Sequence, residues 1–166
     1  MNTLFLDFDG VLHPVTAIEG LTPHHPQLLD AMRSRDMFRW VPLLDEILHA
    51  NEDITIAVHS SWKQYLDNAQ LQEVLGPLAS RLIGITPRGT GRFHGIIELI
   101  ERARIDNHII VDDAIDEFPW NLPELVATNP LKGINDREVL DRISDWVGIV
   151  NSNTPPAPAH PYPQRA

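Results

Sequence analysis

The sequence has 166 residues, 13 Lys and Arg against 23 Asp and Glu, a formal charge of −10, 43% hydrophobic residues and no cysteine. This length fits one domain and suffices to bury roughly 70% of the unfolded surface. The lack of cysteine excludes disulfides, a thiol nucleophile and a cysteine zinc site. The acidity argues against a broad nucleic-acid-binding surface but leaves room for a local phosphate site neutralised by a metal and a few cations.

Met1–Phe8 is apolar, yet too short for a secretory leader and interrupted by Asp7 and Asp9. No run approaches 18 apolar residues, so no membrane partner is expected, and the expected setting is cytoplasmic.

Five short apolar runs predict strands: Thr3–Phe8, Ile54–Val58, Arg81–Ile85, His108–Val111 and Leu125–Ala127. Each is rich in Leu, Ile or Val and bounded by polar or turn residues, as suits strands buried on both faces of a parallel sheet. Between them lie helical patterns. Trp40, Leu44, Ile47 and Leu48 share one helix face, and so do Phe93, Ile96, Ile97 and Ile100. Gln64–Leu75 is a weaker pattern, stopped by Gly76-Pro77. Val139, Ile143, Trp146, Val147 and Val150 follow an N-cap at Asn135 or Asp136.

His13–Arg39 has no clear period and reads as a flap or a loop with a short helix, in which Arg33, Arg35 and Arg39 border an opening. Residues 151–166 hold five of the 14 prolines and read as a disordered tail after a domain spanning 1–150. Strands alternating with helices predict an α/β domain, a three-layer α/β/α sandwich on a mostly parallel five-stranded sheet with Asp7 on its central strand.

The first strand runs straight into Asp7-Phe8-Asp9-Gly10-Val11-Leu12. Two carboxylates at the end of a buried strand are costly without compensation. A divalent cation supplies it, and magnesium suits few carboxylates with waters and phosphate oxygens. Gly10 lets the chain turn sharply. The plainer alternative is a turn whose acids merely solvate the strand end; placement between an apolar strand and Val-Leu favours chemistry. A second apolar strand, Ile109–Val111, also ends in paired acids, Asp112 and Asp113, followed by Asp116 and Glu117. Two strands ending in acids at one sheet edge can share a metal, and in parallel α/β sheets ligands bind beyond that edge.

The motif resembles that of the haloacid dehalogenase superfamily, whose phosphatases open with an apolar strand and D-x-D-G. The resemblance implies a Rossmannoid fold and magnesium-dependent phosphomonoester hydrolysis. Asp7 would be nucleophile and metal ligand, and Asp9 general acid and then base, its backbone carbonyl facing the metal. Asp113 would ligate the metal directly or through water, with Asp112 close by and Asp116 behind them. The family expects a hydroxyl after the second strand. Ser60 is the first choice and Ser61 the next, with His59 as the alternative occupant of the hydroxyl position; both serines also suit a helix cap. It expects a cation before the fourth strand, which Arg92 fills, with Arg88 and Lys63 as rivals.

A narrower resemblance links Leu4–Pro14, Ser60-Ser61-Trp62-Lys63, Ile83–Pro87, Asp112-Asp113 and Ala127–Pro130 with Gly133-Ile134 to the phosphatase-type domain of Swiss Army Knife RNA-repair proteins. No ligase, kinase or nuclease domain fits in this length. A small or absent cap would leave the site open to a phosphorylated small molecule, a nucleotide or a nucleic-acid end. The other reading is a non-catalytic phosphate- or magnesium-binding module, suggested by His59 at the hydroxyl position.

Overall fold

The computed structural model describes residues 1–153, so the expected Pro-rich tail lies outside the described residues from position 154 on. Five strands form one all-parallel sheet: β1 (Asn2–Leu6), β2 (Ile54–Val58), β3 (Leu82–Ile85), β4 (Asn107–Asp112) and β5 (Leu125–Ala127), in the order β3-β2-β1-β4-β5. The order steps outward from β1 to β3, then returns past β1 to β4. The crevice between β1 and β4 is therefore the switch point of the topology, where such sheets bind ligands.

The alternation of side chains along each strand builds two cores. Leu4, Leu6, Ile56, Val58, Ile109 and Val111 face one way. They pack against α2 (Val41–Leu48), α3 (Asn68–Leu75) and α5 (Arg137–Asn153). Phe5, Ala57 and Ile110 face the other way, under Ile96 and Leu99 of α4 (Arg92–Ala103). Burying each large side chain contributes about 1.5–3 kcal/mol, and both faces of the sheet need a helical layer to gain it. The result is the three-layer sandwich expected.

There are three local departures from the expected bounds. β1 stops at Leu6 rather than Phe8. Asp7 N–H still donates to Val111 O (3.1 Å), but the N–H groups of Val11 and Leu12 both turn back to Phe8 O, and Gly10 sits at φ +68°. The helix expected over Gln64–Leu75 is split into a 3-10 turn, Ser61–Gln64, and α3. Asp67 starts α3 afresh through a capping box with Gln70. Finally, α5 continues through Asn153, past the expected boundary at residue 150.

The segment between β1 and α2 contains a 3-10 turn, Val15–Ile18, and α1 (Leu28–Ser34). It is tied at both ends, by Val15 N–H to Pro130 O (2.9 Å) and Trp40 N–H to Leu12 O (3.1 Å). Its arginines are engaged within the flap and with α3. Arg33 pairs with Asp30 and with Glu73 of α3, Arg35 donates to the carbonyls of Ala17 and Glu19, and Arg39 donates to Asp36 O. Unpaired carbonyls and acids of the flap consume these cations. Among the described residues no helix is long and apolar enough to cross a membrane.

Candidate active site at the carboxyl edge of the sheet

Leu6 is in register with Val58 on one side and Val111 on the other, and Val58 with Ile85. One residue further along, the same row therefore carries Thr86, His59, Asp7 and Asp112. Alternation turns these side chains to the α4 face. All four are buried, Asp7 to 1% exposure.

Arg92, the first residue of α4, meets this row. Its Nη1 donates to Asp7 Oδ2 (2.6 Å) and to Asp112 Oδ2 (2.8 Å). His59 Nε2 donates to the same Asp112 oxygen (2.7 Å), and Ala114 N–H donates to Asp112 Oδ1 (2.7 Å). Asp112 thus takes three donors, two on Oδ2 and one on Oδ1, which keeps a free lone pair. Burial opposes its charge, but His59 and Arg92 outweigh burial and hold its carboxyl below the usual value. Asp7 goes the other way, raised by burial and then by the neighbouring Asp112 charge. Burial works against the Arg92 charge too, yet Asp7 and Asp112 prevail and hold the guanidinium cationic.

Asp113 completes a carboxylate cluster: one oxygen each from Asp7, Asp112 and Asp113 lie within 4.8 Å of one another. Burial, then the charges of Asp7 and Asp112, push Asp113 up to about 6. Gly10 makes its approach possible, since a Cβ there would stand 2.2 Å from Asp113 Oδ2.

These residues fit a hard divalent cation. Asp7 Oδ1 is buried with no hydrogen-bond partner among the described residues. An orphaned carboxylate oxygen inside an acidic cluster is what such an ion satisfies. Arg92 and Lys63 offset only part of the charge of Asp7, Asp9, Asp112 and Asp113. Asp9 is not in the cluster. Its side chain, 18% exposed, accepts from Trp62 Nε1 (2.8 Å to Oδ1, 3.0 Å to Oδ2) and from His13 Nε2 (2.9 Å to Oδ1).

Ser60, one residue beyond His59, is fully buried; its hydroxyl accepts from Trp62 N–H at 3.5 Å and caps the 3-10 turn. Ser61 is exposed. Arg88 is also exposed and donates from Nε to Lys63 O (2.9 Å). Lys63 is 3% exposed and its Nζ donates to Thr86 Oγ1 (2.6 Å). Burial, then Arg92 and Arg88, lower its pKa, while Asp7 acts to raise it. It is Glu117 (3.3 Å to Arg92 Nε), and not the exposed Asp116, that reaches the row.

Several contributors were missed in the sequence. His13 gave a signal in its four-residue spacing from Asp9. Trp62 lay inside the string Ser60–Lys63 but had no role assigned to it. Thr86 and Thr128 lay inside the strings Ile83–Pro87 and Ala127–Pro130, with nothing there to assign them a contact. Thr128 Oγ1 donates to Gly10 O (2.7 Å) and steadies the turn from the opposite side of the crevice.

An all-parallel sheet with acids ending its two switch-point strands defines the HAD-like Rossmannoid class. A family model described as the HAD domain in Swiss Army Knife RNA repair proteins matches residues 3–139, and the chain belongs to that family. The family in turn lies within the HAD-type hydrolase superfamily. No curated protein and no solved structure gives a significant match.

Proposed function

We propose that the protein is a magnesium-dependent phosphomonoester hydrolase acting through an aspartyl-phosphate on Asp7. The observation that carries this reading is the state of Asp7: one oxygen held by Arg92, the other buried and without a partner among the described residues, beside Asp112 and Asp113. Asp7 attacks phosphorus as the bond to the leaving oxygen breaks, and Asp9 gives that oxygen its proton. Asp9 then takes a proton from water, which attacks phosphorus; the aspartyl–phosphorus bond breaks and inorganic phosphate leaves. Splitting one hard displacement in two is the gain from a carboxylate nucleophile.

Asp7, Asp112 and Asp113, with the backbone carbonyl of Asp9, would hold magnesium, which supplies neutralisation of the phosphate charge. Arg92 orients Asp7 and meets the phosphate oxygens, and Ser60 offers a hydroxyl to an equatorial oxygen, with Ser61 as alternate. His59, which kept a non-catalytic reading open, is here committed to Asp112. Between β1 and β2 the described residues hold a flap with one short helix rather than a large cap domain, which supports a bulky ester such as a nucleotide or a nucleic-acid end.

The test is a screen with magnesium against nucleotides, sugar phosphates and phosphorylated oligonucleotide ends. Release of inorganic phosphate from any class, lost on chelation, supports the reading. Phosphate or magnesium binding without turnover of any class would leave the binding module in its place.

A further inference from the structure

We propose that His13 is the positioning residue of the acid–base carboxylate, fixing Asp9 by Oδ1 so that Oδ2 is the oxygen that exchanges protons with substrate. This rests on the reading of Asp9 as general acid and base.

The ring is fully buried and both its nitrogens are engaged. Phe38 N–H donates to Nδ1 (3.2 Å). A backbone N–H can only donate, so Nδ1 carries no proton and Nε2 does. The bond at 2.9 Å therefore runs from His13 Nε2–H to Asp9 Oδ1. Trp62 Nε1 lies between the two oxygens but nearer Oδ1. Oδ1 thus takes two donors, while Oδ2 is held by one longer contact.

The backbone that supplies the Phe38 N–H is itself unusual. Phe38 sits at φ +64° and Asp36 at φ +52°, both in the left-handed region that favours glycine. The Phe38 ring stands edge-on to His13 (5.0 Å between centroids) and to Phe8 (5.1 Å). The flap thus adopts a strained turn at the one place where its backbone sets the tautomer of the histidine that grips Asp9.

A purely structural histidine would show the same burial, so the test must separate support of the fold from support of Asp9. An asparagine amide reproduces Nδ1 and can accept from Phe38 N–H, but cannot reach Asp9. A glutamine amide reproduces Nε2 and can donate to Asp9. The measurement is kcat/KM, which reads the steps up to departure of the leaving group, on glycerol phosphate and on 4-nitrophenyl phosphate. The alkoxide needs the proton from Asp9; the nitrophenolate leaves without it.

Wild type, His13→Asn, His13→Gln and Asp9→Asn are compared. The expected result is that His13→Asn loses about tenfold more on the alkyl ester than on the aryl ester, part of the about 10²–10⁴-fold that a positioned acid contributes. KM stays near that of wild type, and His13→Gln recovers most of the loss. Equal losses on both esters, an equal defect in both variants, or an unfolded His13→Asn would overturn the proposal and leave a structural histidine. If Asp9→Asn itself shows no dependence on the leaving group, the acid–base reading fails and this proposal with it; a dependence in Asp9→Asn that His13→Asn lacks overturns this proposal alone.

Discussion

Asp7 is gripped by a guanidinium and crowded by Asp112 on the α4 side of the sheet. Asp9, two residues on, is held by the ring N–H groups of His13 and Trp62 on the flap side. In a continued strand the two would share a face. They part because the chain turns at Phe8–Gly10. The difference shows what the intervening turn does: it converts one D-x-D pair into a charge-dense pocket suited to a metal and a separate carboxylate among polar N–H donors suited to moving protons.

The comparison can be broken most directly at Asp7. Asp7→Asn removes the nucleophile and a ligand together, so turnover should fall by more than any other single change produces, below detection on every ester. Asp9→Asn should lower kcat by about 10²–10⁴-fold while magnesium dependence stays near that of wild type; rescue by excess magnesium would merge the two sites. Asp113→Asn should instead raise the magnesium needed for half-maximal rate about tenfold or more, with rate partly restored at high magnesium.

Gly10→Ala sharpens the same contrast. Its Cβ would displace Asp113, and φ +68° strains any side chain by about 1–2 kcal/mol. The melting temperature should drop by about 2–8 °C, and the magnesium requirement should shift in the direction of Asp113→Asn. The smallest effect is expected from ending the chain at Asn153, since residues 154–166 include five prolines and little apolar surface. A melting temperature changed by less than about 2 °C is the expected reading; a larger fall would mean that this segment docks on the domain.

Much of this architecture was legible because parallel strands advertise themselves as apolar runs, and acids directly after two of them have few places to go. Arg92 was legible from its distance to Asp112, one helix and one strand. Asp9's partners were not. The flap has no period to read, so nothing in its sequence says that it brings the Phe38 N–H to His13. Trp62 stands between Ser61 and Lys63, where nothing in the sequence says that its indole N–H binds a carboxylate. Glu117 replaced Asp116 because a 3-10 turn, Ile115–Glu117, sets the direction of those side chains. The partners of the flap arginines, the carbonyls of Ala17, Glu19 and Asp36 among them, could not be counted beforehand.

The common row of Thr86, His59, Asp7 and Asp112 makes the sheet a ruler graduated in whole residues. Each strand counts upward from its amino end, and its reactive group arrives at the edge only if the count is right in parity as well as in length. Deleting one residue between Asn107 and Val111 would invert the parity of β4, turning Asp112 toward the apolar layer of α2 and α5 and drawing Asp113 into the row in its place, away from Gly10. A deletion of two would keep the acid on the α4 face but draw it about 6.6 Å down the strand, out of reach of Asp7. The interior of β4 therefore tolerates exchange of one aliphatic for another far better than any change in the number of residues.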